Sequence, residues 1–265
     1  MSSVKAVEWR DLRELSRTEI ALDLVLWLPW LTLAWVSVHF GLYLPALVGF
    51  FFFFLTGLRQ AHEAFHRNLG LSARACDLIL VLLSPLMLSA LHATRYIHLR
   101  HHKYCLGEKD VEGEGAAHAW WAAMLRGIVY PVKSHAIAWR DGGNRTRRFM
   151  VIELACVIMF YGAGLWLAPL LFGVHLGMMF LSEWMASFFA VWMVHHDCAE
   201  DETMQSENVG ANPSRSIRGF WRGLLTYNMF YHHEHHALPR VPTRRLPELA
   251  RRLDALNLGT SRRAF

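Results

Sequence analysis

IALDLVLWLPWLTLAWVSVHF (residues 20–40) and LYLPALVGFFFFFLTGL (residues 42–58) carry a single charged side chain between them, Asp23. A helix rises 1.5 Å per residue, so roughly 17–25 such residues cross a hydrocarbon layer about 30 Å thick. The pattern returns at residues 150–172 and 174–194, with one acid in each, Glu153 and Glu183. The expected fold is therefore an all-α integral membrane protein with four transmembrane helices in two hairpins. The 265 residues agree: 54% are hydrophobic, 18% are charged, and the mean hydropathy is +0.20, more apolar than an ordinary soluble domain.

Charge placement gives the orientation. All 27 Lys and Arg lie within residues 5–17, 59–148 and 215–263, and none lies in the turns expected near Gly41–Pro45 and Pro169–Val174. The positive-inside rule then puts both termini and the whole middle segment in the cytoplasm. A multi-pass protein of a bacterial inner membrane is expected, with no nucleic-acid partner. The net charge of +5 suits a cap facing anionic lipid. A signal peptide is not expected, because the first apolar run is too long and no small-residue cleavage site follows it.

Between the spans, residues 5–19 read as an amphipathic surface helix, with Trp9, Leu12 and Leu15 opposite Arg10, Arg13 and Arg17. Leu78 to Leu91 is apolar but reaches only about 21 Å and is interrupted by Pro85, so it reads as interfacial or re-entrant. Loop signals stand at Gly107–Gly115 and Asp141–Asn144, with an interfacial Ala/Trp-rich segment between them, Ala116 to Val129. Residues 197–217 are polar and loop-like. A helix from about Ile217 is expected to carry the last histidines, and Leu246 onward reads as a final amphipathic helix with Pro247 in its first turn. Without repeat or low-complexity tract, residues 1–265 read as one domain.

Three histidine clusters carry the chemistry: His62-Glu-Ala-Phe-His66, His98-Leu-Arg-His101-His102 and His232-His233-Glu-His235-His236. His62 and His66 stand at i and i+4, while the other two clusters place histidines at i, i+3 and i+4, so each set faces one side of its helix. All three fall on the same expected side of the membrane, as do His195 and His196. Eight imidazoles from three helices exceed the four ligands of one zinc and suit two metal ions. Imidazole also suits iron, which brings redox chemistry, whereas copper would favour a Cys or Met set. The four cysteines lack CxxC spacing and read as reduced thiols, with Cys105 and Cys198 near the clusters as packing residues.

HEAFH at 62–66, RYIHLRHH at 95–102 and NMFYHHEHHALPRVP at 228–242 resemble the histidine boxes of the membrane fatty acid desaturase and hydroxylase superfamily, non-haem di-iron enzymes. The last stretch is close to that family's third box, N-x-x-Y-H-x-E-H-H-L-x-P-x-V-P. The resemblance implies that His62, His66, His98, His101, His102, His232, His235 and His236 bind two iron ions. It also implies a further ligand after the last span, which matches His196 better than His195, since the family usually has Glu-His there. Phe230 is a second departure, standing where the family often has Asn. Beside these ligands, Asn228 would share the face of His232, and Glu63 and Glu234 would accept free ligand N–H groups. Glu183, mid-span, is read as a hydrogen-bonding partner within the bundle or for a polar substrate group. His92, His118, His135, His175 and His233 are read as structural or interfacial.

The expected function is an O2-dependent oxidoreductase introducing a double bond into a fatty acyl chain. Hydroxylation or ketolation of a lipid, alkane or carotenoid is the alternative on the same scaffold. No haem-binding His-Pro-Gly-Gly, iron–sulfur cysteine set or dinucleotide turn is present, so an external ferredoxin, rubredoxin or cytochrome b5, with its reductase, is the implied electron donor. A metal transporter would place its ligands within the spans, and a di-zinc hydrolase would use three protein ligands per metal. Metal analysis separates these readings.

Overall fold

The computed structural model describes residues 4–198 and 213–258. Its helices are α1 (Arg17–Val25), α2 (Leu28–His39), α3 (Tyr43–His66), α4 (Ala73–Leu86), α5 (Leu91–Tyr104), α6 (Trp120–Gly127), α7 (Tyr130–Asp141), α8 (Asn144–Leu167), α9 (Pro169–Ser187), α10 (Met193–His195), α11 (Phe220–Leu225), α12 (His232–Ala237) and α13 (Leu246–Ala255). Four helical stretches are long and apolar enough to cross a membrane: Arg17–His39, Tyr43–His66, Asn144–Leu167 and Pro169–His195. The protein is a helical membrane protein.

The first span begins on a capping box, where Ser16 Oγ accepts the Glu19 N–H at 3.2 Å and the Glu19 carboxylate accepts the Ser16 N–H at 2.9 Å. Pro29 in the first turn of α2 breaks the α1–α2 helix without ending the span. α2 and α3 lie closely together: a β-carbon on Gly49 would sit 2.7 Å from the Ala34 nitrogen. The second pair of spans turns at Ala168, earlier than the expected 169–174. The residue before a proline is pushed out of the α region, and Ala168 accordingly sits at φ −146°, while Pro169 opens the next helix.

Asp23, the acid in the opening stretch, is buried and neutralised. Arg59 of α3 donates to it at 3.1 Å and Arg244 at 2.7 Å, which ties the first two spans to the C-terminal segment. His175, on α9, is likewise satisfied: its Nδ1 accepts the Trp35 indole N–H at 3.1 Å and its Nε2–H donates to the Leu86 carbonyl at 2.8 Å.

α4 and α5 meet at 114°, with Pro85 near the end of α4 and Leu88 in the left-handed region at the bend. The apolar stretch 78–91 therefore belongs to a longer helix followed by a sharp turn. The first N–H groups of a helix have no intrahelical acceptor and need one from outside. Here the Ala90 N–H donates to His135 Nε2 (3.0 Å), Leu91 to Ser84 Oγ (3.2 Å) and His92 to the Glu153 carboxylate (3.0 Å). Three elements thus pin the start of the helix that carries the second histidine cluster.

Two expectations outside the spans fail. Residues 5–19 form two short 3-10 turns, Val4–Ala6 and Arg10–Arg13, before α1. Their apolar side chains find a protein partner: Val7 and Leu12 pack against Leu246, Leu249 and Leu253 of the amphipathic α13. Each fully buried leucine there contributes roughly 1.5–3 kcal/mol. The helix expected from Ile217 is also broken. α11 stops at Leu225, Tyr227 and Asn228 take positive φ, and α12 starts afresh at His232. Of the expected 197–217 loop, residues 199–212 lie outside the described residues.

Candidate metal centre

The imidazoles converge through their Nε2 atoms into two groups. His62 and His66 of α3, His98 and His102 of α5, and His235 of α12 form the first; His101 of α5, His195 of α10, and His232 and His236 of α12 form the second. In the first, successive Nε2···Nε2 distances are 3.0 Å (His62–His235), 2.9 Å (His235–His102), 3.1 Å (His102–His98) and 2.9 Å (His98–His66). The second closes as a ring: His101–His195 3.1 Å, His195–His232 2.8 Å, His232–His236 3.0 Å and His236–His101 3.3 Å. The groups share a wall, where the His102 and His236 rings lie 4.3 Å apart.

Those separations test whether a metal fits. A first-row ion bound by imidazole at about 2.0–2.1 Å has ligand–ligand edges of roughly 2.8–3.4 Å in octahedral or tetrahedral geometry. The observed distances match that range. The electrostatics favour the same reading, because burial, then repulsion from neighbouring imidazoles, holds His232, His235 and His236 well below the ordinary histidine pKa. Burial and then His98 and His66 do the same to His102. Neutral rings with converging lone pairs are what a cation needs.

His196 does not join them. It is the residue at which the chain leaves α10. Its ring stacks on Trp192 (centroids 4.4 Å apart), and its Nδ1–H donates to the Ala116 carbonyl at 2.8 Å. His195 occupies the expected place instead, with its Nδ1–H donating to the Pro213 carbonyl at 2.7 Å. One turn earlier, Phe188–Trp192 is π-helical, so the phase at which α10 leaves the span does not follow from regular 3.6-residue spacing.

The three expected supporting residues serve other ends. Glu63 accepts the Thr243 N–H at 2.7 Å and the Thr243 hydroxyl. Glu234, fully buried, accepts Arg218 Nε at 2.7 Å and the Ser216 hydroxyl. Both carboxylates fix ligand-bearing helices to the C-terminal segment rather than orienting rings. Asn228, cut off from α12 by the positive-φ turn, packs against Gly223, its Oδ1 only 2.7 Å from where a β-carbon there would stand. The carboxylates that do meet ligand rings are Asp110 and Glu112: Asp110 accepts the His101 Nδ1–H at 2.8 Å, and Glu112 the His98 Nδ1–H at 3.0 Å. Sequence reasoning took their Gly-rich stretch for a plain loop. The available signal was a pair of acids two residues apart, eight and ten positions after His102.

Electrostatics couple each pair. Burial works against charge on both partners, yet the Asp110 hydrogen bond raises His101 above its ordinary pKa. Likewise, burial would raise both carboxyls, but His101 holds Asp110 and His98 holds Glu112 below theirs. Nearby, burial and then Glu112 and Glu183 push the Tyr130 phenol well above its usual value. Cys105 Sγ stands 3.9 Å from His195 Nδ1 and lies outside both imidazole groups, although it is also within reach of His101 and Asp110. Burial raises its thiol and keeps it protonated.

No curated protein and no solved structure matches this chain. A family model described as Fatty acid desaturase matches residues 34–263, a stretch that contains all the imidazoles of both groups. That family comprises membrane oxidoreductases acting on lipids, in keeping with apolar spans that end at a cluster of buried histidines. The chain belongs to the fatty acid desaturase family.

Proposed function

We propose that the protein is an O2-dependent di-iron oxidoreductase that introduces a double bond into a fatty acyl chain. The observation that carries this reading is the pair of imidazole groups, five and four rings, at metal-ligand spacing beside four apolar spans. His62, His66, His98, His102 and His235 would hold one iron, and His101, His195, His232 and His236 the other. Bound there, iron would supply the redox chemistry by which O2 removes hydrogen from an unactivated C–H bond.

The chain's own residues supply position and exclusion. His102, His232, His235 and His236, kept neutral by burial, present lone pairs without protons, and Glu63, Glu234 and the capped start of α5 keep the three ligand helices in register. In sequence, all Lys and Arg fall in the same stretches as the three histidine clusters or in the N-terminal stretch, and none in the two expected hairpin turns, which supports a cytoplasmic centre, two hairpins, and both termini inside. Electrons would come from a separate ferredoxin, rubredoxin or cytochrome b5 and its reductase. We read residues 1–265 as one functional unit.

Metal analysis and lipid profiling test this together. Purified protein should carry two irons per chain, and an aerated host expressing it should gain unsaturated acyl chains that the His101→Ala host lacks. Two zincs would sink the oxidative reading. Hydroxylated or keto products in place of alkenes would keep the di-iron centre and overturn desaturation.

A further inference from the structure

The loop between α5 and α6 sends one carboxylate to each imidazole group. Glu112 Oε1 accepts the Nδ1–H of His98, a member of the five-ring group, and Asp110 Oδ2 accepts the Nδ1–H of His101, a member of the four-ring group. A carboxylate on the far nitrogen fixes which ring nitrogen carries the proton, turns the ring, and makes the metal-facing nitrogen a stronger donor. Both side chains are shielded from water, with Asp110 0% and Glu112 12% exposed.

Their surroundings differ. Asp110 shares its charge among three donors: His101, the Leu106 N–H at 2.8 Å and the Gly113 N–H at 2.9 Å. Among the described residues Glu112 bonds His98 alone, and its Oε2 is buried with no partner among them.

Resting on the di-iron reading above, we propose that Glu112 and Asp110 are positioning residues that address the two metal positions separately, Glu112 through His98 and Asp110 through His101. Each iron position thus has its own carboxylate, and a single loop supplies both.

The test uses full-length protein loaded with 57Fe and its Glu112→Gln, Asp110→Asn and Glu114→Gln variants. Glu114 lies in the same loop but pairs outward with Arg126 and Lys133, so it serves as the control. Mössbauer spectra of the wild type should show two quadrupole doublets of equal area. Glu112→Gln should move one doublet, Asp110→Asn the other, and Glu114→Gln neither. Movement of the same doublet by both variants, or of neither, overturns the proposal. 15N-histidine spectra of metal-free protein give an independent reading: each variant should shift one of the 16 rings, a different ring in each. Iron missing from the wild type would count against the di-iron reading, and the metal-free spectra would still decide whether the loop addresses two rings.

Discussion

The two imidazole groups are built differently. The five-ring group takes His62 and His66 from one turn of a long regular helix and His98 and His102 from one turn of another, with His235 closing it. The four-ring group takes only His232 and His236 as such a pair; His101 and His195 come singly, and His195 follows a π-helical segment. Regular i, i+4 spacing makes a ligand pair predictable, whereas a lone ligand after a helix irregularity depends on a phase that no spacing reports.

The sharpest way to break that contrast is to remove each histidine of the 195–196 pair. His195→Ala should lower product formation by more than about 100-fold, since even supporting residues around metals are worth 10–100-fold. It should also leave one iron per chain. His196→Ala, which loses a stack on Trp192 and a bond to Ala116, should keep both irons and stay within about twofold of wild type. Iron counts in the reverse order would return the ligand role to His196.

The five-ring group has its own weak point, the buried Asp23 beneath α3. Asp23→Ala leaves Arg59 buried without its counter-charge and frees Arg244, and breaking a buried pair from one side costs about 3–5 kcal/mol. Thermal unfolding in detergent should show the loss. At temperatures where the variant stays folded, iron should leave the His62–His66 group before the other. Equal loss from both would mean that the groups are mechanically one unit.

Legibility followed the same division. Four spans and three histidine clusters could be read because apolar run length and i, i+4 spacing report directly on regular helices. The Ala168 turn was misplaced because apolar content is uniform from Met150 to Val194 and only the effect of Pro169 on its predecessor marks the break. Residues 5–19 showed an amphipathic face, but sequence alone could not say whether lipid or α13 would cover it. Glu63 and Glu234 were expected on ligand rings because they are neighbours in sequence. Consecutive helix positions point about 100° apart, so a residue next to a ligand usually faces something else. Asp110 and Glu112, by contrast, reach the rings across a loop closure that only the folded chain shows.

A smaller effect should touch both groups alike. Ser84 Oγ caps the start of α5, which supplies rings to each, and Ser84→Ala leaves the buried Leu91 N–H without its acceptor. The cost should be about 1–3 kcal/mol in unfolding measurements, with the ratio of irons in the two groups unchanged. A change in that ratio would show that the bend between α4 and α5 aims one cluster selectively.

The smallest effect lies farthest from the rings. Asp141, at the end of α7, bonds Arg140 and reaches Arg100 on α5 at 3.1 Å, and these partners lower its carboxyl from 3.8 to about 2. A carboxyl depressed in the folded state binds its proton less readily there than in the unfolded chain. Its contribution is therefore complete above about pH 4 and disappears as pH falls towards 2. Asp141→Asn should lower the melting temperature slightly at neutral pH, and the gap from wild type should close in that acid window. The pair is solvent-facing, so added salt should narrow the gap as well. Because Arg100 points away from the imidazoles next to it in sequence, iron content should not change. Loss of iron in this variant would mean that the outer face of α5 controls ring placement, and the two groups would then share a support that the capped end of α5 does not reveal.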